Sequence, residues 1–173
     1  MSVRPRAATS GAHTTSRVLL FAAGNLPLGV PLEDMLRVIP EEEVLPMPLA
    51  HAALHGVMPT TEGISPVYDL GVLFHGPMAR ALAMTSRTGD PLVALFPHAA
   101  GSVGVRVDRL QGLAPNVTPL TASMQKNLQL ALPAAAQALC TGAATSRGQL
   151  FFFFSKDAFL AWLAQQVPQA ARK

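Results

Sequence analysis

Gly56-Val57-Met58-Pro59-Thr60-Thr61-Glu62-Gly63-Ile64-Ser65-Pro66-Val67-Tyr68-Asp69-Leu70 joins two short strands and sets the register for its surroundings. A short apolar strand passes through a polar turn into a second strand. Alternation in the second strand puts Ile64, Pro66, Tyr68 and Leu70 on one face and Ser65, Val67 and Asp69 on the other, the pattern of a half-buried strand. Pro59 and Pro66 each withhold a backbone donor, which predicts a sheet edge or the entrance to a barrel rather than a sheet centre.

Upstream, the apolar run Val18 to Ala23, the turn Gly24-Asn25 and the alternating Leu26, Leu28, Val30 and Leu32 read as a hairpin. Residues 33–39 read as a helical turn or a bent strand that Pro40 stops. Glu41-Glu42-Glu43 reads as a solvated surface turn. Pro46 and Pro48 impose extended backbone, and a short helix is expected at 49–54.

Downstream, 75–91 is rich in Gly, Pro and small polar residues and reads as a long surface loop with one helical turn near 78–84, dividing the chain into halves. Beyond it come a buried strand at 92–96, a turn at Gly101-Ser102, and Val103, Val105 and Val107 alternating up to Asp108. The order of the first hairpin recurs there: an apolar strand, a Gly turn, then an alternating strand containing Gly29 or Gly104, followed by Glu33 or Asp108. That internal duplication predicts two similar small β-barrels rather than one sheet. Residues 113–148 are rich in Pro, Ala, Thr and Gln, with a helix expected near 124–130. The four phenylalanines at 151–154 predict a strand buried on both faces. Ser155 then stands as N-cap of a C-terminal helix, with Asp157 in its first turn and Phe159, Leu160, Trp162, Leu163 and Val167 as its apolar stripe.

Of 173 residues half are hydrophobic, enough to bury a core. Residues 1–16 and 168–173 read as tails, the first disordered. The formal charge of +3 comes from those tails: without Arg4, Arg6, Arg172 and Lys173, nine Lys and Arg stand against ten Asp and Glu. A nucleic-acid footprint is not expected. Gly24, Asn25 and Pro27 interrupt the first apolar run before it resembles a signal peptide, and no stretch approaches the ~18 apolar residues of a membrane span. The single Cys140 leaves no internal disulfide and fits a reducing, cytoplasmic setting.

The chemical inventory is sparse. There is no nucleophile elbow, phosphate loop or Cys-x-x-Cys pair. Gly101-Ser102-Val103-Gly104 reads as a turn, Cys140 as a buried inert thiol, and Asn116-Val117-Thr118 as an incidental match to a glycosylation acceptor. Asp69 and Asp108 each close an apolar strand, where a carboxylate caps a turn or accepts backbone bonds. His51 and His55, four apart, fit one helical face, and with His75 and His98 they are the basis for an alternative metal-binding or enzymatic module. Neither a catalytic residue nor a cofactor is expected.

Gly56-Val57, Glu62-Gly63 and Pro66-Val67-Tyr68-Asp69-Leu70, with Leu28-Gly29-Val30 and Gly104-Val105-Arg106-Val107-Asp108, occur in an order that resembles the CheW-like chemotaxis coupling proteins. The resemblance covers about residues 17 to 165. It implies an all-β fold, two SH3-like five-stranded barrels packed on a shared core with short helices and a C-terminal helix, spanning 17–167. It also implies a non-enzymatic adaptor between a chemoreceptor's cytoplasmic domain and a CheA-type histidine kinase. Val30, Leu32 and Val57 are the candidates for lining a receptor groove, and Arg37, Thr60, Thr61 and Glu62 for the partner-binding turn and its surroundings. The chain departs from the family there: Pro59-Thr60-Thr61-Glu62 stands in place of the usual Asn-Leu-Arg, with Glu62 where the Arg is usual. Weakened or lost kinase coupling with receptor binding kept is the second reading. The apparent exchange of charge between Arg37 and Glu62 suggests that the two side chains face each other.

Overall fold

The computed structural model describes residues 17–47, 51–61, 63–79 and 90–166. Eleven strands are named among them: β1 Val18–Ala23, β2 Leu26–Pro31, β3 Arg37–Pro40, β4 Leu54–Thr60, β5 Gly63–Asp69, β6 Leu92–His98, β7 Gly101–Val107, β8 Arg109–Leu113, β9 Thr118–Pro119, β10 Cys140–Ser146 and β11 Gln149–Phe154. Helices α1 Leu70–His75, α2 Ala122–Leu130, α3 Ala134–Leu139 and α4 Lys156–Gln166 complete them, with 3-10 turns at Leu32–Asp34 and Glu41–Glu43. The strands form a six-stranded sheet, β8-β1-β2-β11-β10-β9, and a five-stranded sheet, β3-β6-β7-β5-β4.

The predicted duplication is present strand by strand. In each sheet a hairpin (β1-β2 or β6-β7) joins through its second strand, in parallel, to the second strand of another hairpin (β10-β11 or β4-β5). The pairings Leu54↔Tyr68, Gly56↔Val67 and Val57↔Pro66 are matched by Cys140↔Phe154, Gly142↔Phe153 and Ala143↔Phe152, including a bulge at the same place in each ladder. Gly29 and Gly104 occupy equivalent places because both stand against a side chain on the partner strands. A Cβ on Gly29 would lie 2.6 Å from the Phe151 ring, and one on Gly104 would lie 2.8 Å from Val93.

Each sheet closes by the same device. The chain leaving β3 runs through the Glu41–Glu43 turn to Leu45, which bridges Val57 on β4; the chain leaving β8 runs to β9, which pairs with β10. Three apolar clusters pack among the described residues. Ile39, Met58, Val67, Val93 and Leu95 fill the five-stranded barrel, and Val18, Leu20, Ala144 and Phe151 the other. The largest, which includes Phe21, Leu28, Val30, Phe96, Val105, Phe152, Phe154 and Phe159, lies where the sheets and helices face each other.

Several expectations are corrected. The sheets do not divide at 75–91: β5 and β6, on either side, belong to one sheet, and the chain changes sheet between β2 and β3 and again at Asp108. The reading by halves failed because each sheet is assembled from hairpins distant in sequence. One sheet carries a sixth strand, the two-residue β9. β5 is an interior strand despite Pro66. Both backbone groups of Val57 bond to Leu45, so the Val57↔Pro66 pair exchanges no bonds, and the pairing of β5 with β7 starts only at Val67. Pro66 therefore removes no ladder bond. Gly101 and Ser102 open β7 instead of forming the turn, and β7 is buried on both faces from Ser102 onward because it lies between the two cores. The described part of 49–54 is a turn that leads into β4 at Leu54. Helix α1 and the elements β8, β9, α3 and β10 went unpredicted. The expected helical turn at 78–84, Glu62 and Val167 lie wholly or partly outside the described residues.

Candidate functional site

The strand pair β4-β5 turns Gly56, Met58, Ser65, Val67 and Asp69 inward, with the Ser65 and Ser102 hydroxyls bonded to each other. Its register therefore sends Val57, Pro59, Ile64 and Pro66 to the opposite face, and Leu45 bridges onto Val57 from the arm that closes the barrel. Ile64 is 73% exposed and Leu45 54%, with Pro59 also exposed. These residues form an open apolar row. At its inner end Tyr68 meets the rings of Phe159 and Trp162 on α4 edge-on, and His51 meets Trp162 in the same way at 5.6 Å. The row thus continues a face that is covered by α4 farther along.

Behind the row lies a charge cluster. Arg106 on β7 is only 7% exposed; its Nε donates to Glu41 Oε1 at 2.6 Å, and one terminal nitrogen reaches Asp108 at 2.7 Å and Asp69 at 3.4 Å. Burial works against the guanidinium's charge, but Glu41, Asp69 and Asp108 outweigh it and its pKa lies above the ordinary value. Glu41 Oε1 also meets His55 Nε2 at 2.7 Å. Asp69 Oδ1 accepts the Val72 N–H at 3.0 Å as N-cap of α1, and Asp108 Oδ2 accepts the Gly24 N–H in the β1-β2 turn. Both aspartates therefore bind backbone as their positions predicted, and Asp108 joins one sheet to the other. Glu41 corrects the reading of 41–43 as a solvated turn: its side chain points back to the buried arginine. Arg106 was missed because a lone arginine in a valine strand carries no spacing signal.

The predicted partner-binding residues are dispersed. Val57 and Thr60 are half-buried on β4, Thr61 is exposed in the turn after it, and Leu32 is half-buried in the first 3-10 turn. Arg37 is exposed on β3, and its suggested partner Glu62 lies outside the described residues. Val30 has no exposed surface; it belongs to the shared core and supports a surface from beneath instead of lining one. His51 and His55 share no helix. His51 sits in a turn, where its Nδ1 accepts the Ala53 N–H, and His55 is on β4. His98 Nδ1 accepts the Ala100 N–H, and His75 lies under Gly24. Among the described residues no group of three or more His, Cys, Asp or Glu is placed to hold a metal ion. Burial pushes the Cys140 thiol up to about 12, as befits an inert side chain.

The fold is two small β-barrels on a common core, with an open apolar row on one of them. The family comparison makes the assignment: the CheW-like domain pattern matches residues 17–163, and the chain belongs to that family. Among solved structures it is similar to the scaffolding protein TtCheW from Thermoanaerobacter tengcongensis, with a TM-score of 0.61 and 14% identity over 86% of this chain and 91% of that one. No curated protein matches the chain significantly. CheW-family proteins are scaffolding adaptors in chemotaxis signalling. No helix among the described residues is long and apolar enough to cross a membrane.

Proposed function

We propose that this chain is a non-enzymatic, cytoplasmic adaptor of a bacterial chemosensory system that docks a CheA-type histidine kinase, a chemoreceptor's cytoplasmic tip, or both. The observation that carries this reading is the row Leu45, Val57, Pro59, Ile64 and Pro66, whose apolar side chains face outward from the β4-β5 pair and the arm bridged to it. Apolar residues displayed together on a rigid element mark an interaction surface. The polar turn beside the row, where Thr60 and Thr61 stand and Glu62 replaces the usual Arg, would select among partners by charge.

The test uses the full chain with a receptor cytoplasmic fragment and the histidine kinase from the same host, each titrated by calorimetry. Binding to one of them at micromolar concentration is expected, and Ile64→Glu should weaken it with little change in unfolding midpoint. No binding to either partner at high micromolar concentration would overturn the proposal. The choice between the readings follows from an autophosphorylation assay: receptor-coupled activation means that the altered turn is tolerated, and receptor binding without activation means that kinase coupling has been lost.

A further inference from the structure

We infer that Arg106 and Glu41 together are a positioning pair that holds the Leu45 arm against β4 and so completes the docking row. This rests on the reading of that row as the docking surface. The arm is the segment from the Glu41–Glu43 turn to Leu45. Its backbone is held at one end by the Glu41 N–H to Pro91, at 3.3 Å, and at the other by the two bonds between Leu45 and Val57, at 2.7 and 2.9 Å. Within the arm the Glu41 side chain grips Arg106 on one side and His55 of β4 on the other.

Placement gives the pair its leverage. Arg106 is fixed on three sides: by its own strand between β5 and β6, by Asp69 at the cap of α1, and by Asp108 at the crossing between sheets. Glu41 is the group through which that rigid cluster reaches the arm. The arm lies directly over Gly56, where a Cβ would stand 2.4 Å from the Leu45 carbonyl oxygen. Leu45 supplies one of the more exposed apolar groups of the row, so a loosened arm removes part of the surface without unfolding the barrel. The equivalent arm in the other half, 114–119, is joined by β9 to β10 through two register pairs instead of one bridge. The Leu45 arm has the shorter ladder, and a side-chain anchor compensates for it.

Amide hydrogen exchange on the free protein separates this from the docking proposal. Glu41→Ala leaves Arg106 with Asp69 and Asp108, and it should speed exchange at the Leu45 and Val57 amides by at least about tenfold, as expected for losing a charge-assisted hydrogen bond. The Val72 and Gly24 amides, held by Asp69 and Asp108, should not change. Arg106→Met should give the same pattern if it folds; Glu41→Gln, which keeps one hydrogen-bonding oxygen, should restore part of the protection. In the partner titration Glu41→Ala should weaken binding by a similar factor. Unchanged exchange at Leu45 and Val57, or an equal rise at all four amides, would overturn the positioning role. Faster exchange at the arm in a protein whose unmodified form binds neither partner would leave the positioning pair standing and remove the docking reading.

Discussion

Asp69 has two tasks that substitution can separate. Its Oδ1 caps α1 through the Val72 N–H at 3.0 Å, and its Oδ2 stands 3.4 Å from Arg106, in a side chain that is almost wholly buried. Asp69→Asn keeps an oxygen for the cap and removes the charge. A hydrogen bond to a charged group contributes about 1.5 to 3 kcal/mol, and the long contact, with Arg106 retaining Glu41 and Asp108, puts the cost at the low end, about 1.5 kcal/mol. Asp69→Ala also removes the cap, worth about 1 kcal/mol, and leaves a buried N–H without its acceptor, for a total of about 3 kcal/mol. In urea, with a slope of about 2 kcal/mol per molar for a chain of this size, the midpoints should fall by about 0.7 M and about 1.5 M. Exchange at the Val72 amide should rise beyond the global change only in the alanine variant. Equal midpoints for the two variants would refute the cap, and an unchanged midpoint in Asp69→Asn would refute the dependence of Arg106 on this carboxylate.

The duplication predicts paired effects. Gly29→Ala and Gly104→Ala each force a Cβ against packed side chains, and each should cost about 1 to 3 kcal/mol of stability by denaturant unfolding. Ser155, whose Oγ accepts the Ala158 N–H at 3.1 Å, holds the place in one half that Asp69 holds in the other, and Ser155→Ala should cost about 1 kcal/mol with no effect on the Arg106 cluster. Cys140, held protonated to about pH 12 against an ordinary value of 9.0, should resist thiol reagents in the native protein at pH 8 and react on unfolding. Its burial contributes stability that is fully present below pH 9 and is lost as pH rises toward 12, because the unfolded thiol ionises first; Cys140→Ala should flatten stability over that window.

The sequence made legible what depends on local pattern. The hairpin at 18–31, the strands at Gln149–Phe154 and Gly63–Asp69, and the Ser155 cap follow from alternation, apolar runs and one well-placed hydroxyl. The duplication was visible through Gly29 and Gly104, because close packing across equivalent strands admits no side chain at either place. What could not be read depends on partners distant along the chain. Cys140–Ser146 has no distinctive β signature and is a strand because Phe151 to Phe154 offer it a ladder. Glu41 looks like part of a solvated acidic run until Arg106, 65 residues away, is placed behind it. The turn at Thr60-Thr61 was singled out from the family resemblance, whereas the row beside it needed the register of β4-β5 to show which face is open.

That register also shows why one half of the duplication offers a surface and the other does not. Ala143 and Phe152, the counterparts of Val57 and Pro66, are buried, and Leu150, the counterpart of the 73% exposed Ile64, is packed against the shared core. Between Pro119 and Cys140 the chain carries α2 and α3 and places Leu132, Ala136 and Leu139 in the shared core, whereas Leu45 and Leu54 are much closer along the chain. The two halves began with the same ladder and the same bulge, so strand pairing cannot account for the difference in exposure. It follows from what each half adds around that ladder: helices that extend the common core on one side, and on the other a short arm held through a buried arginine, beside which the apolar face stays open.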